Sequence, residues 1–261
     1  MKNKKIILIM LIFFTLFIVG CNKPSLKITA PSAKLELSEP IEYTFIIKNN
    51  MDKEISNFTL LPINSEDFIL NDSSIKATPN SINKSDTSNI TIEIISLKVG
   101  KSKVNLTFSY VNIKNGELNK TSIPLELDTP LPNNESYINF KLNKHEFKID
   151  TETNLSVEIE KSNYEPFKNV KLIIESPYYY SNLYCIKNSN CTLNQYNQLT
   201  IFIEGGLEKK NYPSFNILVS PVQGQGKVNF PINLTIKLFY SKTGFYWGLI
   251  AEKEEKINIK N

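Results

Sequence analysis

The sequence predicts an all-β protein: two immunoglobulin-like antiparallel β-sandwich domains in tandem after an N-terminal export segment. Three observations predict it. Apolar and polar residues alternate with period two in run after run from Leu26 onward, with no helical period between the runs. Only four alanines (Ala30, Ala33, Ala77, Ala251) stand among many Ile, Val, Phe, Tyr, Thr and Asn, a mixture that suits strands and turns. The body also repeats itself at a fixed offset. In Ile41–Asn49 one face carries Tyr43, Phe45 and Ile47; in Asn154–Lys161 one face carries Leu155, Val157 and Ile159, each 112 residues later (155 − 43).

The first element is the export segment. Met1–Lys5 is a positive start, and Ile6–Val19 is apolar apart from Thr15. This run is short for a spanning helix, which needs about 20 apolar residues, and fits a signal peptide. It ends Ile18-Val19-Gly20-Cys21, which resembles the lipobox of prokaryotic lipoproteins. The resemblance implies cleavage after Gly20 and a lipid on the Cys21 sulfur. The alternative is an uncleaved membrane anchor with an incidental Cys21. Both place the remainder at the outer face of the cytoplasmic membrane. Residues 1–20 hold Lys2, Lys4 and Lys5 and no acid, so their removal lowers the net charge from +4 to +1 (27 Lys minus 26 acids). The basicity thus belongs to the signal, and no global basic field remains. All basic residues are Lys, which argues against nucleic-acid recognition and its bidentate Arg contacts.

After a short tether, 21–25, the first sandwich is expected over 26–130. Its strand-like runs are Leu26–Ala30, Lys34–Leu37, Ile41–Asn49, Ile55–Leu61, Asn89–Leu97, Ser102–Ile113 and Thr121–Asp128. The linker is 131–136, where Pro130 and Pro132 with polar neighbours stop a strand and stiffen the chain. The second sandwich is expected over 137–261. The offset of 112 carries Asn57–Leu61 onto Asn169–Ile173, and Leu35 and Leu37 onto Phe147 and Ile149. Val104–Tyr110 then meets Ile232–Leu238 at an offset of 128, so the second copy holds about 16 extra residues (128 − 112).

The segment LSEPIEYTFIIKNNMDKEISNFTLLP, an alternating strand ending in Asn-Asn, a polar turn and a second alternating strand, is similar to the first hairpin of CARDB-like immunoglobulin-like repeats. The closing hairpin Val104–Leu127, with its turn Lys114–Glu117, is similar too. Such repeats belong to archaeal and bacterial surface proteins, and with the lipobox the whole resembles a prokaryotic, in the first place archaeal, surface lipoprotein. The resemblance implies β-sandwiches that serve as stalks, adhesion modules or partners of larger assemblies, with no catalytic residues to carry over.

Chemistry-bearing constellations are few. His145 is the sole histidine and has no nucleophile motif beside it. Glu66–Asp67 and Asn71–Asp72 lack the spacing of a Ca²⁺ loop. No cofactor, metal or catalytic residue is expected. Cys185 and Cys191 are an even pair in an oxidising compartment, which reads as a local disulfide; the alternative, a redox pair, lacks Cys-x-x-Cys spacing. The pair lies in the extra segment of the second copy beside Tyr178, Tyr179, Tyr180 and Tyr184. Tyrosine combines a large apolar face with a hydroxyl at low entropy cost, so a stapled Tyr-rich loop suits partner contact. The alternative is that the rings cap the core. Phe245 and Trp247 are expected on one face of a strand, turned to the core. Asn-x-Ser/Thr, the glycan acceptor pattern, occurs at Asn57, Asn71, Asn83, Asn89, Asn105, Asn119, Asn134, Asn154, Asn190 and Asn233. The functional expectation is a non-enzymatic, membrane-anchored surface module for binding, adhesion or spacing, with a protein or glycan partner. A solute- or glycan-binding lipoprotein serving a membrane partner is the alternative.

Overall fold

The alternating runs fold as strands in a computed structural model that describes residues 26–30, 34–61, 63, 65–70, 75–177, 181–186, 190–219 and 230–260. The export segment, Cys21 and Tyr178–Tyr180 lie outside the described residues. The first copy holds β1 (Leu26–Thr29), β2 (Pro40–Asn49), β3 (Ile55–Leu60), β4 (Phe68–Ile69), β5 (Ile75–Ala77), β6 (Ser81–Ile82), β7 (Thr87–Ser96), β8 (Gly100–Asn112) and β9 (Glu117–Thr129). They form two sheets, β1-β2-β7-β4 with β5 also on β7, and β6-β3-β8-β9. The second holds β10 (Ile138–Leu142), β11 (Glu146–Lys148), β12 (Glu152–Lys161), β13 (Val170–Glu175), β14 (Ser181–Tyr184), β15 (Cys191–Leu193), β16 (Gln198–Ile203), β17 (Lys210–Asn211), β18 (Ser214–Val219), β19 (Phe230–Tyr240) and β20 (Gly248–Lys260). Its sheets run β10-β12-β18-β14, with β17 on β12, and β11-β20-β19-β13-β16-β15.

Each copy buries the inner faces of its own two sheets. Tyr43, Phe45 and Ile47 meet Leu106 and Phe108 in one core, and the Phe45 and Phe108 rings sit edge-to-face at 6.1 Å. Leu155, Val157 and Ile159 meet Leu172, Leu234 and Ile236 in the other. Full burial of each such side chain stabilises by roughly 1.5–3 kcal/mol. The repeat is visible in the strands themselves. β2 and β12 are both ten residues long with inward positions in the same places. Asn57 and Asn169, 112 apart (169 − 57), both take a positive φ (52° and 49°), the left-handed conformation that asparagine tolerates.

One expectation needs correction. Lys34–Leu37 is not a strand: Leu37 makes one isolated bridge, to Ser96, and its side chain packs into the core of the second copy. It therefore has no counterpart role to Ile149. The sheets are antiparallel as expected, with the three-residue β11 joining β20 in parallel at the edge, Phe147 opposite Ile259. Strands β4, β5 and β6, two or three residues each, carry too short a pattern to read from sequence. Among the described residues no helix is long and apolar enough to cross a membrane.

The copies touch at one end. Leu249 N donates to Leu97 O (2.7 Å) and Val99 N to Leu249 O (3.0 Å), a short parallel bridge from the loop after β7 to the start of β20. Lys242 pairs with Glu36 (3.3 Å) and Glu39 (2.8 Å). Between the copies Pro132–Asn134 forms a 3₁₀ turn. Glu135, next in the chain, is fully buried against the equally buried Lys161 at 2.9 Å.

Candidate binding surface

The outer face of the β11-β20-β19-β13-β16-β15 sheet gathers aromatic side chains. Alternation along β13 turns Leu172 and Ile174 inward and Lys171 and Ile173 outward. Register then sets Phe202 of β16 and Phe239 of β19 on either side of Lys171. Trp247, just before β20, lies over this row, its ring edge-to-face with Phe202 at 6.2 Å. The Lys171 ammonium sits 4.4 Å from the Trp247 ring centre and 5.4 Å from that of Phe239. Such cation–π contacts hold a cation by about 0.5–2 kcal/mol. Burial lowers the Lys171 pKa from its ordinary range, because its charged form is partly desolvated. Among the described residues Lys171 makes no ion pair.

This corrects the sequence expectation for Phe245 and Trp247. β20 begins at Gly248, so the preceding residues form the hairpin tip and do not alternate as a strand. Phe245 is 85% exposed, and Trp247 is half-buried on the outer face, away from the core. The alternation frame ends at this turn, and a register slip between Leu238 and Phe239 follows within the β19-β20 pair. A bulge turns the strand and re-aims the side chains beyond it.

Phe202 stands between two grooves. One, of about 480 Å³, is lined by Lys168, Asn190, Phe202, Glu204 and Trp247. The other, of about 370 Å³, is lined by Asn190, Phe202, Glu204, Asn211 and Tyr212. Tyr212 is exposed, while the Asn211 Oδ1 acceptor is buried and, among the described residues, without a hydrogen-bond partner. Gly206 holds the turn behind the first groove. It takes φ +90°, and a Cβ there would fall 1.9 Å from the Phe167 carbonyl oxygen.

Of the residues singled out from sequence, Cys185 and Cys191 are joined by a disulfide with Cα atoms 5.7 Å apart. The bridge ties the end of β14 in one sheet to the start of β15 in the other. Tyr184 is exposed on the outer face of the β10-β12-β18-β14 sheet, opposite the face that bears Trp247. The structure thus does not bring Tyr184 and Trp247 together. His145 is exposed, its Nδ1 4.0 Å from Glu255. Asp67 is engaged by Lys98 (3.7 Å) and by the Ser102 hydroxyl. Among the described residues no group of three or more His, Cys, Asp or Glu could hold a metal. Sequence reasoning missed Lys171 and Phe202. Lys171 carries a signal, a cation at an outward strand position where Thr59 stands 112 residues earlier (171 − 59); Phe202 carries none.

No family model matches the chain, and no curated protein matches it. Several solved structures are similar in fold. A type I cohesin–dockerin complex from Clostridium thermocellum matches at 11% identity, over 47% of this chain and 93% of that one, with a TM-score of 0.37. A protein of unknown function from Porphyromonas gingivalis matches at 9% identity over 90% of this chain and 99% of that one, with a TM-score of 0.32. The type II cohesin dyad from the adaptor ScaA scaffoldin of Acetivibrio cellulolyticus matches at 11% identity over 90% and 98%, with a TM-score of 0.30. At these identities and scores the likeness is one of β-sandwich architecture.

Proposed function

We propose that this chain is an exported, lipid-anchored, non-enzymatic surface module whose second sandwich recognises a partner through the outer face around Phe202 and Trp247. One observation carries the reading: Phe202, Phe239, Trp247 and Lys171 gather where the fold asks only for a solvated strand face. Aromatic rings left half-exposed on a rigid sheet suit recognition, because little side-chain freedom is lost on binding. The export segment and Cys21 supply the anchoring part of the proposal. Tyr184, exposed on the outer face of the other sheet, is a second, separate candidate contact, together with Tyr178, Tyr179 and Tyr180, which precede it in the sequence. In cells, a photo-cross-linking residue at position 202 or 247 should trap a cell-surface partner, and one at position 105 on the first sandwich should not. Cys21→Ser should release the protein from membranes. Equal trapping at all positions would remove the recognition part, and unchanged membrane retention the anchoring part.

A further inference from the structure

The first sandwich has two unlike ends. Register places the start of β1 beside the end of β2, Leu26 opposite Asn49. The buried Asn49 amide donates to Ile82 O and Asn83 O, and Ile113 N donates to Glu54 O. The loops at 50–54, 83–86 and 113–116 therefore close this same end. The opposite end holds Leu97 and Val99, which meet Leu249 of the second copy. The 13 residues of β8 run from one end to the other, about 40 Å at roughly 3.3 Å per residue.

Charge divides between these ends. The segments 26–29, 48–54, 83–87 and 113–120 carry six lysines (Lys27, Lys48, Lys53, Lys84, Lys114, Lys120) and four acids (Asp52, Glu54, Asp86, Glu117), a net +2 (6 − 4). The rest of 26–130 carries five lysines and nine acids, a net −4 (5 − 9). Lys27 and Lys48 are both exposed and stand directly opposite each other across β1 and β2, an arrangement that costs stability until an anion neutralises it.

Apolar side chains gather at the same end. Among the described residues of the first copy, the large apolar side chains left exposed are Ile46, Ile113 and Leu118. Ile113 and Leu118, 48% and 62% exposed, flank the β8–β9 turn, and Ile46 lies one pleat from Lys48 on the outer face of β2. Apolar residues rimmed by cations suit the headgroup layer of an anionic bilayer. The chain itself brings that surface near. Five residue steps separate Cys21 from Leu26, a reach of at most about 18 Å however they run.

We infer, resting on the membrane attachment proposed above, that this end of the first sandwich docks on the bilayer. Ile113 and Leu118 enter the headgroup layer, and Lys27, Lys48 and Lys114 pair with anionic lipid phosphates. The first sandwich then stands end-on and carries the junction with the second about 40 Å from the membrane.

The test uses the full chain, lipid-anchored in vesicles of phosphatidylcholine with about one-third phosphatidylglycerol. With Cys21 lipidated and Cys185 bonded to Cys191, a cysteine introduced as Leu118→Cys is the only free thiol and takes an environment-sensitive fluorophore. Glu126→Cys places the same label on the same face of β9, nearer the junction. A blue shift and quenching by headgroup-level spin-labelled lipid are expected at 118, and neither at 126. Both effects should shrink in phosphatidylcholine alone and when Lys48→Glu and Lys114→Glu are combined. Lys48→Glu sets an acid opposite Lys27, which favours the strand pair, so unfolding does not account for the loss. A label in water at 118, or one equally buried at 118 and 126, overturns the inference. If the chain is retained while 118 stays in water, the anchor stands and the docking falls. If a Cys21→Ser chain stays on the vesicles with 118 still buried, the lipid is wrong and the docking stands. If neither holds, both fall.

Discussion

Asn49 and Lys161 are the last residues of β2 and β12, they stand 112 apart (161 − 49), and both are fully buried. Both donate to carbonyls of the loop after the strand, and Asn49 also to two carbonyls at the end of β6. The Asn49 amide donates to Lys53 O, Ile82 O and Asn83 O, and Lys161 Nζ donates to Asn163 O and Glu165 O. A neutral amide needs nothing more; an ammonium in the interior needs a counter-charge. Glu135 supplies it at 2.9 Å and also accepts from the Ser162 hydroxyl and Asn163 N. Lys161→Met should therefore cost about 3–5 kcal/mol, because it strands the Glu135 carboxylate. Adding Glu135→Leu should recover only part, since the Asn163 and Glu165 carbonyls and Asn163 N stay unpaired. Urea unfolding of the two variants checks this, and a double variant no better than the single one sinks it. Burial alone would raise the Glu135 pKa, but the hydrogen bonds from Ser162, Lys161 and Asn163 outweigh it, and the net shift is downward. A depressed carboxylate pKa contributes stability that is present above the unfolded value, about 4.3, and is lost as pH falls through the lower folded value. Glu135→Gln should flatten the acid limb of the stability curve below about pH 4.

Among the elements, the long alternating strands were legible and the short ones were not. β2, β7, β8, β12 and β19 each carry five or more periods of pattern or lie in the repeat, so their inward faces can be read from residue order alone. Lys161 continues the inward positions Leu155, Val157 and Ile159 but was not read as buried, because a lysine there breaks the apolar pattern and its partner lies in the linker. Trp247 was misread because the alternation frame was extended through a turn. The tertiary position of Phe202 could not be reached from sequence: β16 stands beside β13 as β6 stands beside β3, but β6 is only two residues long and leaves no pattern to align. The disulfide was legible as a pair, but its place between two sheet edges was not. That place gives it a local effect. The ring it closes is short, so the loop-closure contribution is roughly 2–3 kcal/mol. Cys185→Ser combined with Cys191→Ser should lower stability by about that amount. It should also speed hydrogen exchange at Leu183 and Thr192, the neighbouring backbone of β14 and β15. Exchange that rises uniformly over the second sandwich would show that the bridge does not act on these two edges.

At the scale of the whole molecule, two sandwiches are joined by the short segment between β9 and β10. A linker of polar residues and prolines does not by itself fix an angle. Here its last acid is anchored in the second copy through Lys161, while Leu37 of the first copy packs into the core of the second. Gly248 makes room for Leu37. An ideal Cβ at that position would lie 2.4, 2.5 and 2.9 Å from the Leu37 Cγ, Cδ1 and Cδ2 atoms, closer than carbon atoms pack. Leu37 is almost wholly buried and cannot swing into solvent without giving up its apolar contacts. Gly248→Ala should therefore strain the junction by about 1–3 kcal/mol, the range for overpacking. The strain should act between the copies, since Leu37 and Gly248 lie 211 residues apart in the chain (248 − 37) and meet only across the junction. Leu37→Ala should be destabilising alone and relieve most of the Gly248→Ala penalty when the two are combined. The double-mutant cycle is then expected to show a coupling of roughly 0.5–3 kcal/mol, the range for residues in contact. Small-angle scattering should show the profile of Gly248→Ala departing from wild type and that of the double variant returning toward it. Strictly additive stabilities, with unchanged scattering, would mean that the Leu37–Gly248 contact does not set how the two sandwiches sit.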